Sequence, residues 1–139
     1  MPAGGGEPRQ VTRKGGHIAF ESPDGRWLYY TKNPTTTITL DSPLWRMSVD
    51  GGGETEVLPS VHYRAFQVID GGILFVRQQR EDRLPVLMYY SETQSKSRAL
   101  LEIAQPVLFG IAATRDGRNV LWTQEDLTGS DLVMIDRFR

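Results

Sequence analysis

Cysteine is absent from this chain, and histidine occurs only at His17 and His62. The first absence removes disulfides, thiolate nucleophiles and the usual zinc frameworks together, while leaving the redox compartment open. The second leaves too few imidazoles for a metal site unless carboxylates complete it. An excess of one charge is missing as well: 16 Lys plus Arg stand against 17 Asp plus Glu, a net charge of −1. That balance provides neither a basic footprint for nucleic acid nor an acidic tail. Apolar runs are short, far from the ~20 residues that cross a bilayer. The N-terminal Met1-Pro2-Ala3-Gly4-Gly5-Gly6 has no basic stretch followed by an apolar core. The expectation is therefore a soluble chain without an export signal or membrane partner, in cytoplasm or periplasm. No segment shows a sustained helical period.

What is present is a repeat. Asp24-Gly25, Asp70-Gly71 and Asp116-Gly117 recur at intervals of 46 residues, each followed by a short aromatic or aliphatic strand at Trp27–Thr31, Ile73–Val76 and Val120–Thr123. A period of that length marks one supersecondary unit copied along the chain. The first unit predicts strands at His17–Glu21, Arg26–Lys32, Leu44–Val49 and Thr55–Leu58, joined through the turns Ser22–Gly25 and Asp50–Gly53 and the loop Asn33–Ser42. Turn-forming Gly, Pro, Asp and Ser separate each pair of strands. The second unit predicts Ala65–Ile69, Gly72–Arg77, Val86–Ser91 and Arg98–Ile103; the third predicts Gly110–Thr114, Asn119–Gln124 and Leu132–Asp136, then stops one strand short. The missing strand has a counterpart at the other end, where Met1–Thr12 matches Met47–Leu58 with one residue fewer before the glycines.

The fold class expected is thus all-β, built from four-stranded antiparallel meanders. Ser22-Pro23-Asp24-Gly25-Arg26-Trp27-Leu28-Tyr29-Tyr30-Thr31, with Leu44–Glu54 after it, resembles the blade consensus of TolB-like, WD-repeat-related bacterial β-propellers. The third unit is similar through Thr114–Thr123, whereas the second keeps Asp70-Gly71 without the Ser-Pro. The resemblance implies β-propeller blades, three per chain, in one domain: residues 1–12 as the outer strand of a shared blade, 13–58 as the first blade, 59–104 as the second, and 105–139 as the first three strands of the third. Such a half-propeller is expected to pair as a homodimer into a six-bladed ring, within the roughly 4–8 blades that close. In that ring Pro8–Thr12 pairs with Leu132–Asp136 of the other copy.

Chemistry is harder to find than architecture. The strand aromatics could stack sugars or bases, but packing between blades accounts for their positions. No G-x-S-x-G elbow accompanies the histidines. Gly4–Gly6 and Gly51–Gly53 lack the Lys and helix of a phosphate cradle. The Asp-Gly pairs lack the clustered carboxylates of a calcium loop. No catalysis, cofactor or metal is expected. The function expected is a non-catalytic scaffold that binds a protein, peptide or small ligand, for instance the sensory part of a larger regulator; the alternative is a propeller gating access to a separate hydrolase or peptidase domain. Loops on a rigid scaffold are where recognition usually sits, which selects Arg13, Lys14, His17, His62, Tyr63, Arg80, Arg83 and Phe109 as candidate ligand-binding residues. Glu21, Gln67 and Thr114 are expected to line a central channel.

Overall fold

Ten strands and no helix make up the described part of the chain; the computed structural model describes residues 4–8, 10–32, 41–62, 64–78 and 84–124. β1 (Ala19–Glu21), β2 (Trp27–Thr31), β3 (Asp41–Ser48) and β4 (Thr55–His62) form one sheet in chain order. β5 (Phe66–Ile69), β6 (Gly72–Arg77), β7 (Val86–Ser91) and β8 (Lys96–Glu102) form a second in the same order. β9 (Val107–Ala113) pairs with β10 (Val120–Gln124) in a third. Every pairing is antiparallel. β6 and β7 span the residues that the alternation of apolar side chains marks. β4 instead continues through Pro59 to His62, where a loop is expected from sequence. Proline lacks a ladder donor, but β4 is the outermost strand of its sheet, and an edge tolerates that loss. β9 likewise begins at Val107, ahead of the strand expected from Gly110.

Two seams hold the sheets together. Tyr29, Leu44, Leu58 and Val61 of the first sheet meet Phe66, Val68, Ile73, Phe75 and Met88 of the second. Leu74, Val76 and Leu87 on the reverse of the second sheet meet Ile111 of the third, with Trp122 packed alongside. The middle sheet is therefore apolar on both faces, which is why β6 reads Gly-Ile-Leu-Phe-Val with all five residues buried. Burying each such side chain contributes about 1.5–3 kcal/mol.

The middle sheet departs from the sequence period in one respect. Phe20 and Phe66, one period apart, touch edge to face with centroids 5.0 Å apart across the first seam. Strict repetition would turn both rings the same way around the stack. Hydrogen-bond phase explains the difference. The Ser22 N–H donates to the Trp27 carbonyl at 2.8 Å and the Thr31 N–H to Ile18 at 3.3 Å, so even-numbered residues of β1 form the hydrogen-bonded pairs. Thr114 and Asn119 repeat this at 3.0 Å two periods later. In the second sheet the Val76 N–H donates to Ala65 at 2.8 Å, and the odd-numbered residues take that role. The pairing itself repeats, Phe20 with Tyr29 and Phe66 with Phe75, but exchanging hydrogen-bonded for non-hydrogen-bonded pairs exchanges the two faces of the strands. Its cause is the turn. Asp70-Gly71 closes directly on the Ile69–Gly72 pair, whereas the first and third hairpins span residues 22–27 and 114–119 between paired strands.

Candidate functional site

Three places concentrate polar chemistry, beginning with the hairpin turns. The Ser22 hydroxyl donates to Asp24 Oδ1 at 2.6 Å and accepts from the Trp27 N–H at 2.9 Å, while Asp24 Oδ1 also accepts from the Arg26 N–H at 3.1 Å. Thr114, Asp116, Arg118 and Asn119 reproduce this network at 2.6, 3.1 and 3.1 Å. Gly25 and Gly117 follow at φ of +73° and +69°, a region that glycine enters without a Cβ penalty. Hydrogen bonds from Ser22 and then from the Arg26 backbone hold the Asp24 carboxyl down at about 2. Asp116 is lowered in the same way, chiefly by Thr114. These carboxylates cap their own turns. Asp70 lacks that hydroxyl partner. Its N–H donates to the Arg115 carbonyl at 2.8 Å and its carboxylate accepts from Arg115 Nε at 3.0 Å, tying the second turn to the third.

The second place lies in the first seam. Tyr29 donates its hydroxyl to the Glu92 carboxylate, and Arg46 Nη1 reaches Glu92 at 3.4 Å and the Tyr29 oxygen at 3.5 Å. The guanidinium also sits 4.6 Å above the Trp27 ring. Burial, and then the bond to Glu92, push the Tyr29 hydroxyl up to about 12. A proton held that firmly serves packing, not acid or base catalysis near neutral pH.

The third is the outer face of the first sheet. Residues 10–16 run across it, with Thr12 Oγ1 and Tyr30 Cδ2 each 3.3 Å from where a Cβ on Gly16 would lie. Tyr30 and Met47 are 1% and 4% exposed there. Lys32 Nζ lies 2.5 Å from Glu54 Oε2 and 4.8 Å above the Trp45 ring. The ammonium, and then the Tyr30 hydroxyl, lower the Glu54 carboxyl. The Tyr30 hydroxyl lies beside Glu54 without reaching an ordinary hydrogen-bond geometry, and Trp45 Nε1 is buried with no partner among the described residues. A cleft of about 500 Å³ opens between Gln10–Lys14 and the turn Asp50–Glu54.

The structure separates the residues selected from sequence. Arg13 and Lys14 are exposed and line this cleft; His17 is exposed, its N–H bonded to the Thr31 carbonyl at 2.8 Å. His62 lies apart from them. It sits at the end of β4, 5% exposed, with Nδ1 3.3 Å from Asp41 Oδ1 and Nε2 3.1 Å from the Val107 carbonyl. Its ring bridges the first and third sheets, so both nitrogens are engaged within the chain. Phe109 falls inside β9, while Tyr63, Arg80 and Arg83 lie outside the described residues. Glu21 is exposed on the outer face of the first sheet, Gln67 sits half-buried in β5, and Thr114 is held in its turn. Among the described residues no three His, Asp or Glu side chains converge as metal ligands would.

Sequence reasoning did not single out the Lys32–Glu54–Trp45 group or the outer face of the third sheet. On that face Leu121 is 73% exposed and Ala112 is exposed beside it. Apolar alternation in β10 carried the signal for Leu121, because Val120 and Trp122 pack inward and leave it pointing the other way. Comparison with protein-family models, with curated proteins and with solved structures finds no match to this chain. The functional reading therefore rests on the geometry.

Proposed function

We propose that the three sheets are consecutive blades of a β-propeller of the TolB-like kind, and that the chain is a non-catalytic scaffold for a protein, peptide or small ligand. One observation carries this reading: both seams follow the same rule. At the first seam the face of β1 and β2 that bears hydrogen-bonded pairs, with Phe20 and Tyr29, meets the non-hydrogen-bonded face of β5 and β6, with Phe66 and Phe75. At the second, Ala65 and Val76 on the hydrogen-bonded face of β5 and β6 meet Ile111 and Trp122 on the other kind of face. Rotation about a common axis stacks sheets in this front-to-back manner; a sandwich of two equivalent sheets related by a twofold does not. The changed hydrogen-bond phase of the middle sheet is what turns Phe66 and Phe75 into the first seam.

Polar groups at the hairpin turns and in the first seam are occupied by structural bonds, which favours recognition by exposed residues over catalysis. Arg13, Lys14 and His17, on the segment entering β1, are the described residues best placed for it. Assays with ester and peptide substrates and a metal analysis test this reading. Neither turnover nor stoichiometric metal is expected. Hydrolysis abolished by His17→Ala, or bound zinc lost in that variant, would overturn it.

A further inference from the structure

We infer that Asp50-Gly51 is a self-modification site, the Asp-Gly pair of this fold that isomerises spontaneously to isoaspartate, at the rim of the cleft that Arg13 and Lys14 also line. The inference is independent of the propeller reading, because it compares copies of one dipeptide within the chain. Asp24, Asp50, Asp70 and Asp116 are all followed by glycine. Differences in reactivity among them therefore report on their surroundings and not on the following side chain.

The reaction needs only water. The Gly51 backbone nitrogen attacks Cγ of the protonated Asp50 carboxyl; the N–Cγ bond forms, and the carboxyl hydroxyl leaves as water with the proton of that nitrogen. Water then adds to either carbonyl of the resulting succinimide. Addition at Cγ restores aspartate, whereas addition at the main-chain carbonyl breaks its bond to the Gly51 nitrogen and leaves the chain running through Cβ and Cγ. One water leaves and one enters, so the mass is unchanged. The backbone gains a methylene, and the negative charge moves to a carboxylate on Cα.

Closure requires a carboxyl that can turn onto the next nitrogen and carry a proton. At Asp24, Oδ1 accepts from the Ser22 hydroxyl at 2.6 Å and from the Arg26 N–H at 3.1 Å, while Oδ2 accepts from Arg26 Nε at 2.6 Å. Thr114 and the Arg118 N–H hold Asp116 Oδ1 in the same way. Both carboxyls lie below their ordinary value, and for Asp24, at about 2, this makes the protonated form more than about tenfold scarcer. Asp70 is tied to Arg115 by its carboxylate and its N–H, and the Gly71 carbonyl accepts from the Tyr89 hydroxyl at 3.1 Å and the Glu92 N–H at 3.2 Å. The Asp50 carboxylate has no hydrogen bond or ion pair among the described residues; only its N–H is engaged, by the Ser48 hydroxyl at 3.3 Å. Residues 50–53 are exposed, and a Cβ on Gly51, Gly52 or Gly53 would meet nothing within 4 Å, so no packing resists rotation of this turn. The Gly51 N–H donates to the Ser48 carbonyl at 3.0 Å, as Gly25 and Gly117 do to Ser22 and Thr114 at 2.9 and 2.8 Å. The nitrogens are thus alike, and the carboxyl decides.

Ageing the intact protein at neutral pH in heavy-oxygen water, followed by peptide mapping and labelling with an isoaspartyl methyltransferase, reads each site separately. Isoaspartate at Asp50 is expected to accumulate about tenfold faster, or more, than at Asp24, Asp70 or Asp116, carrying one solvent oxygen and no other mass change. In urea the sites should convert at similar rates. Ser22→Ala should raise conversion at Asp24 several-fold while the circular dichroism stays unchanged. Equal accumulation at all sites of the folded protein would overturn the inference, as would an Asp50 that stays intact while every site converts in urea. An Asp24 unmoved by Ser22→Ala would overturn the tethered carboxyl as the cause.

Discussion

Tyr29 and Leu121 occupy one position of the repeat and meet opposite surroundings. Tyr29 is enclosed by the second sheet and bonded through its hydroxyl to Glu92, whereas Leu121 stands 73% exposed. The contrast shows that one repeat position takes an apolar residue in both units, although only in the first does a neighbouring sheet cover it among the described residues.

The largest effect that would break the comparison is a cavity in the covered seam. Phe75→Ala should destabilise the fold by about 3–5 kcal/mol, measured by urea denaturation, because Phe75 is 3% exposed in the cluster that holds Tyr29 and Met88. Leu121→Ala should stay within about 0.5 kcal/mol in dilute solution, as exposed substitutions do. Equal losses at the two positions would show that Leu121 is covered within one chain. A smaller effect sharpens the polar half of the comparison. Tyr29→Phe removes the donor to Glu92 but leaves Arg46 beside that carboxylate, so a loss of about 0.5–1.5 kcal/mol is expected.

The smallest concerns the hairpin turn. The folded Asp24 carboxyl is held at about 2, below its ordinary 3.8. Its contribution is therefore complete above the ordinary value and fades as pH falls toward 2. Thermal melts from pH 5 down to pH 2 should show wild type and Asp24→Asn converging. The carboxylate is fully exposed, so the difference at the upper end should be slight. A difference that grows on acidification would refute the capping role.

Much of the fold was legible because strand residues obey local rules. β6 and β7 were readable to their ends, and all three Asp-Gly hairpins fell where the sequence put them. The changed hydrogen-bond phase of the second sheet was not legible, since a period counts residues and is blind to which pairs share hydrogen bonds. Its trace in the sequence is Val68, which stands two residues ahead of Asp70 where the other units carry the Ser22 or Thr114 hydroxyl. The candidate site was less legible. His62 looks like a loop ligand because Pro59 suggests a break, and only the position of β4 at the sheet edge makes that proline tolerable. Pairing of Pro8–Thr12 with Leu132–Asp136 involves residues outside those described; within one chain, residues 10–12 form no strand.

The two-residue turn at Asp70-Gly71 makes the repeat units non-interchangeable. Grafting Ala19–Thr31 in place of Ala65–Arg77 would preserve the spacing of the Asp-Gly pairs, yet would turn this hairpin inside out relative to its neighbours. The rings at the Phe66 and Phe75 positions would leave the first seam, and grafted alanine and glutamate would enter it opposite Phe20 and Tyr29. Copies of this module can therefore be shuffled or duplicated during evolution or engineering only together with the hairpin that sets their parity. The order of the sheets is written into the chain by the length of one turn.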